Sequence, residues 1–173
     1  MRIFLIGFMG SGKSYTGRRM AQKAGLPFID LDERIEKKEG KPIRAIFEEE
    51  GEAYFRLLEK ACLREMEQYP HVVVSCGGGT PCFHDNMEWM NSQGVTIYLR
   101  ASESLLARRL AGQQAQRPVL KGQDQDSLEV FIRSKLEERE HYYMESSIVY
   151  DQCTEKEPVA ENILRYFQDM IGH

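Results

Sequence analysis

No apolar run in this chain approaches the ~20 residues of a membrane-spanning helix. The apolar N-terminal run is interrupted early by Arg2 and Gly7, so no secretory leader is expected either. Four cysteines, Cys62, Cys76, Cys82 and Cys153, form no C-x-x-C pair. That absence argues against a zinc site or a disulfide framework, and for plain thiols in a reducing cytoplasm. Positive charge is not in excess: 23 basic residues face 27 acidic ones, a net charge of −4. Nothing here suits nucleic acid or an anionic membrane surface. There is no internal repeat, no low-complexity segment and no obvious interaction helix, so a monomer is expected. What remains is a chain of 173 residues, enough for a single domain (1–173) with a sizeable core.

The most informative feature that is present is Gly7-Phe8-Met9-Gly10-Ser11-Gly12-Lys13-Ser14. It matches G-x-x-x-x-G-K-[ST], the phosphate-binding P-loop. Its context is the required one. The apolar run Arg2–Ile6 before it reads as a buried strand, and Tyr15–Ala24 after it reads as a helix stopped by Gly25. Glycines let successive backbone N–H groups point inward, and the helix start adds partial positive charge. Lys13 can reach terminal phosphates, and the Ser14 hydroxyl can ligate Mg²⁺.

Further strands are predicted at Phe28–Leu31, Val72–Val74, Val95–Leu99 and Ile148–Tyr150. Helical patterns separate them, at Arg34–Glu39, Ile43–Glu50, Glu52–Gln68, Asn86–Ser92, Glu103–Leu110, Leu128–Met144 and Val159–Met170. Alternating strands and helices imply an α/β three-layer sandwich: a five-stranded parallel sheet with helices on both faces. Two segments break the alternation. Residues 33–60 leave room for a small substrate-binding subdomain. Residues 111–126 are polar and aperiodic, as a lid over the reaction would be.

Ligands of such folds bind at the carboxyl ends of the strands, so chemistry is sought there. Asp30 and Asp32 close the second run, and strand alternation would put both carboxylates on one face. A lone Asp32 could merely cap a helix starting at Glu33; a pair beside a P-loop suits one metal-binding and one proton-accepting role. Cys76-Gly77-Gly78-Gly79-Thr80 follows the third run, and three glycines favour a binding surface of backbone N–H groups. In the helix Glu52–Gln68 the apolar stripe is Tyr54, Leu58, Ala61 and Met66. Arg56 is off it, which reads locally as a surface ion pair with Glu52 or Glu59. Arg139 continues the stripe Leu128, Ile132, Leu136 toward Tyr143. A charge there either snorkels to solvent or faces a cleft and holds an anion. Arg117-Pro118 lies in the lid segment, where an arginine could swing onto a transferring phosphate.

Taken together, the P-loop, Phe28-Ile29-Asp30-Leu31-Asp32, Phe55-Arg56 with Glu59, Gly77-Gly78-Gly79, Arg117-Pro118 and Arg139 resemble the shikimate kinase family of the nucleoside-monophosphate-kinase-like P-loop class. The resemblance runs from Arg2 to the last helix. It implies ATP- and Mg²⁺-dependent phosphorylation of the 3-hydroxyl of shikimate, giving shikimate 3-phosphate, in aromatic amino-acid biosynthesis. It implies that Gly10, Ser11, Gly12, Lys13, Ser14 and Tyr15 surround the nucleotide phosphates. Ser14 is then the direct metal ligand, with Asp30 reaching the metal through water. Asp32 receives the reacting hydroxyl. Arg56 and Arg139 grip the shikimate carboxylate, against the local reading of Arg56, and Gly77–Gly79 lie beside the substrate. Arg117 contacts phosphate, while Arg109 (rather than Arg108) and Lys156 flank the adenine. Rival readings are another small-metabolite kinase such as a gluconate kinase, a nucleoside-monophosphate kinase, or a P-loop module that binds without catalysis.

Overall fold

In the computed structural model, which describes residues 1–112, 124–154 and 156–171, the run Arg2–Ile6 forms β1 at the centre of a five-stranded sheet. Its neighbours are β3 (Val72–Ser75) and β4 (Val95–Arg100). The edges are β2 (Phe28–Asp30) and β5 (Ile148–Asp151). The order is β2-β3-β1-β4-β5, and every pairing is parallel.

Strand alternation divides the interior into two cores. Ile3 and Leu5 of β1, Val73, Ile97 and Leu99 face one side. There they meet α1 (Lys13–Ala24) through Met20 and Ala21, and α8 (Val159–Ile171) through Ile163 and Phe167. Phe4, Ile6, Val72, Val74 and Tyr98 face the other. That side is covered by α2 (Leu31–Glu39), α3 (Ile43–Glu50), α4 (Glu52–Arg64), α5 (Asn86–Gln93), α6 (Glu103–Ala111) and α7 (Gln125–Tyr143). A strand buried on both faces has no polar side to show, which is why these runs read as continuously apolar. The guanidinium of Arg2 closes the far end of the sheet, donating to the carbonyls of Glu67 at 2.7 Å and Tyr69 at 2.8 Å.

Element boundaries shift by a few residues from expectation, and two of the shifts carry a physical reason. The helix expected over Glu52–Gln68 ends at Arg64 and tightens into a 3₁₀ turn, Glu65–Gln68, as helix ends commonly do. More consequentially, β2 stops at Asp30 and α2 begins at Leu31.

Candidate active site

The chain leaves β1 through a loop whose Gly10 and Gly12 have φ of 81° and 89°, a left-handed backbone that other residues rarely adopt. Gly12 stands at the N-cap of α1 with no side-chain acceptor, so the first-turn amides can serve an anion. Lys13 Nζ curls over the same loop, donating to the carbonyls of Gly7 at 2.9 Å and Phe8 at 3.0 Å. Its charge is thereby held above the phosphate seat.

Opposite the loop lie the two aspartates, but not as strand neighbours. Asp30 is itself the helix cap: its Oδ1 accepts from the amides of Asp32 at 3.1 Å and Glu33 at 3.3 Å. Capping from Asp30 starts α2 early, so Asp32 sits in the first helical turn and strand alternation does not govern where it points. Both carboxylates nevertheless line the cleft. The Ser14 hydroxyl donates to Asp30 Oδ2 and lies 3.1 Å from the hydroxyl of Ser75 at the end of β3. These oxygens form a hard-donor set beside the phosphate loop. Asp32 differs electrostatically. Burial, with Asp30 and then Glu59 nearby, raises its pKa to about 6, against the opposing pull of Lys13. That value lies near neutral pH, where a general base works best.

The third wall carries the arginines. The buried face of α4 is Phe55, Arg56, Glu59, Cys62 and Leu63, not the stripe through Tyr54, which is 41% exposed. The helix is turned by packing of Phe55 against Phe47, with ring centroids 4.6 Å apart. Arg56 is therefore only 8% exposed. Its Nη1 donates to Glu59 at 2.9 Å, and Glu59 also accepts from the Thr80 hydroxyl at 2.7 Å. The Phe83 ring lies 4.0 Å from the guanidinium carbon. Arg139, half-buried on α7, lines the same cleft beside Gly78. The glycines make room for these groups. A Cβ on Gly77 would stand 2.9 Å from Asp32 Oδ1, and one on Gly79 2.6 Å from Arg56 Nη2.

P-loop, aspartates, glycine turn and arginines thus surround one cleft of about 920 Å³. The shikimate kinase family profile matches residues 9–170. The chain belongs to the shikimate kinase family. A shikimate kinase of Parabacteroides distasonis is 47% identical over 150 residues, 87% of each chain. The crystal structure of a Bacteroides thetaiotaomicron shikimate kinase superposes with a TM-score of 0.91 at 40% identity, covering 100% of this chain and 99% of that one. A shikimate kinase from Acinetobacter baumannii, solved in complex with shikimate, gives 0.84 at 30% identity over 99% and 93%. As a shikimate kinase family member, the chain is an ATP-dependent phosphotransferase.

This shikimate kinase cleft continues past the phosphate loop toward the residues expected beside the nucleotide. Tyr15, 70% exposed, Arg109 and Lys156 line it. Arg108 instead points outward to Ser104. Arg117 and the rest of 113–123 lie outside the described residues.

Sequence reading missed Gln152. It follows β5 and is 8% exposed. It donates to the carbonyl of Ser11 at 3.0 Å and accepts from Arg109 Nη1 at 3.0 Å. A single glutamine in a polar segment carries no local signal; only the strand-end rule pointed to its neighbourhood. Ser75 and Phe83 were missed for the same reason.

Proposed function

We propose that this chain transfers the γ-phosphoryl group of ATP to the 3-hydroxyl of shikimate, giving shikimate 3-phosphate and ADP. The observation that carries this reading is the convergence of Arg56, Arg139 and Asp32 on the cleft that the P-loop opens into. Two guanidinium groups orient a carboxylate as well as bind it. Ile43, Phe47 and Phe55 beside them offer apolar surface to a carbocyclic ring, and the segment 33–60 serves as the substrate-binding part of the domain.

With the carboxylate held at one end, the ring's hydroxyl is presented to Asp32. Asp32 orients that hydroxyl and accepts its proton as the oxygen bonds to the γ-phosphorus and the bond to the ADP oxygen breaks. Lys13 and the loop amides of Gly10, Ser11, Gly12, Ser14 and Tyr15 hold the phosphates in line. Arg117 adds charge at the transferred group, and Arg109 and Lys156 flank the base. Catalysis here is positioning and electrostatics rather than covalent chemistry.

Mg²⁺ fits the donors present. It prefers oxygen and keeps most of its shell as water and phosphate; the Ser14 hydroxyl would bind it directly and the Asp30 carboxylate through water. Bound there, it supplies positive charge to the β- and γ-phosphate oxygens. We place the enzyme in the cytoplasm as a monomer, in keeping with four unpaired thiols. Among the described residues no helix is long and apolar enough to cross a membrane.

A coupled assay of ADP release tests the proposal. Release is expected with shikimate and not with gluconate or a nucleoside monophosphate. ADP release independent of shikimate overturns it.

A further inference from the structure

The guanidinium of Arg56 is tethered along its edges by two carboxylates of its own helix. Glu59 Oε2 accepts from Nη1 at 2.9 Å, while the other Glu59 oxygen is taken by the Thr80 hydroxyl at 2.7 Å. Glu52, largely exposed, lies 3.4 Å from both Nε and Nη2. Bonds of this kind act in the plane of the guanidinium and leave its tilt free. They use one N–H on each nitrogen, which leaves one further donor on Nη1 and one on Nη2. A Cβ on Gly79 would be nearer to these two nitrogens, at 2.6 and 2.8 Å, than to the carbon between them, at 3.0 Å. The bare glycine therefore leaves the two-nitrogen edge uncovered.

The tilt is set by an aromatic ring. The guanidinium carbon lies over Phe83, 4.0 Å from the ring centroid, against 5.1 Å for Phe55 and 5.9 Å for Phe47. Phe47 and Phe55 line the cleft and Phe83 does not, so Phe83 meets the arginine from outside the space a substrate would fill. A ring face attracts a cation through its quadrupole and occupies no N–H donor. The backbone around Phe83 is built onto the same helix as Arg56. Thr80–Cys82 form a 3₁₀ turn after the glycines, and the buried Asn86 side chain donates to the Thr80 carbonyl at 3.0 Å. His84 takes φ 53°, uncommon for a residue with a side chain. Asp85 then pairs with Lys60 at 2.7 Å and Arg64 at 2.8 Å, both on α4. Ring and guanidinium are thus fixed against each other.

We infer that Phe83 is a positioning residue for substrate recognition: its ring sets the tilt of the Arg56 guanidinium, so that the edge left free by Glu52 and Glu59 presents two parallel N–H donors to the substrate carboxylate. Without the ring the cation turns toward its nearest carboxylate, Glu59, and the fork closes on the protein instead of on the ligand. This inference rests on the proposal that Arg56 binds the shikimate carboxylate.

The test compares side chains at position 83. Phe83→Leu keeps apolar bulk and removes the ring face; Phe83→Tyr keeps the face. The first is expected to raise the shikimate KM about tenfold, the scale of a desolvated contact between a cation and a ring, with kcat and the ATP KM nearly unchanged. The second is expected to stay near wild type. Phe83→Met, measured alongside, gives the same reading with an unbranched side chain should Phe83→Leu fold poorly. In an Arg56→Met background Phe83→Leu is expected to add no further rise, because its effect passes through Arg56. Equal rises for Phe83→Leu and Phe83→Tyr mark a packing role and overturn the inference. So does a lowered melting temperature with an unchanged shikimate KM, an equal rise in the ATP KM, or a full further rise in the Arg56→Met background. If Arg56→Met raises the shikimate KM and Phe83→Leu does not, this inference alone falls. If Arg56→Met itself leaves that KM unchanged, the carboxylate reading of Arg56 fails and the inference with it.

Discussion

The guanidinium of Arg56 occupies the space that a side chain on Gly79 would need. A Cβ there would stand 2.6 Å from Nη2 and 2.8 Å from Nη1, closer than real contacts allow. Gly79 itself has φ −92° and ψ −12°, a backbone that alanine adopts freely. Gly79→Ala is thus expected to act through displacement of Arg56 and not through strain. It should raise the shikimate KM at least severalfold and leave the ATP KM near wild type. Steady-state kinetics with each substrate varied in turn checks this.

Asp32→Asn should lower kcat by on the order of 10²-fold or more, the scale of a lost general base, with ATP binding little changed. The same substitution should stabilise the folded protein at neutral pH. The folded pKa is about 6 against an ordinary 3.8, so folding disfavours the ionised form. That destabilisation, about 1–3 kcal/mol, is present above pH 6 and gone below the unfolded pKa. The melting-temperature gain of Asp32→Asn should therefore shrink as pH falls from 6 toward 4. In the unmutated enzyme, kcat/KM should fall on the acid side with an apparent pKa near 6. An Asp32 that only supported the helix would give a stability loss instead.

Lys13→Ala should abolish measurable turnover, a loss on the order of 10³-fold, while circular dichroism and melting temperature stay close to wild type. In the present structure Lys13 donates to the carbonyls of Gly7 and Phe8.

Arg139→Ala should weaken shikimate recognition by about 2–5 kcal/mol, the cost of removing one partner from a buried charge pair. The change should appear in the shikimate KM, with nucleotide affinity unchanged when measured separately by calorimetry. Arg139→Lys should recover part of the loss, since an ammonium cannot form the planar two-bond fork.

Gln152→Ala should show the opposite selectivity. Its side chain bridges Ser11 and Arg109, so its loss loosens both the phosphate loop and the cation beside the base. The ATP KM should rise, roughly five- to tenfold for one buried hydrogen-bond pair, with the shikimate KM unchanged. Isothermal titration with ADP provides an independent reading.

Local chemistry makes part of this protein readable from its residues alone. The P-loop is a contiguous motif whose function resides in its own backbone, so its eight residues announce the nucleotide site and the strand and helix that frame it. The alternation of apolar runs with helical patterns likewise announces a doubly covered parallel sheet, because a strand buried on both faces must be apolar throughout. The aspartates were visible as a pair, but their division of labour was not. Only the early start of α2 reveals that Asp30 caps the helix while Asp32, in the first turn, keeps its carboxylate for the cleft. Arg56 shows the limit most clearly. Its helix carries apolar residues on more than one face, and local pattern placed it outside. Packing of Phe55 on Phe47 turned the helix the other way and buried Arg56 against Glu59 and Phe83. Gln152 has no signal in its own segment. It matters because of an atom far away in the chain, the Ser11 carbonyl, as the Tyr143 hydroxyl meets the Gly78 carbonyl. Such pairings exist only once the strand order β2-β3-β1-β4-β5 brings the ends of β1, β3 and β5 together, and that order is a property of the packed sheet.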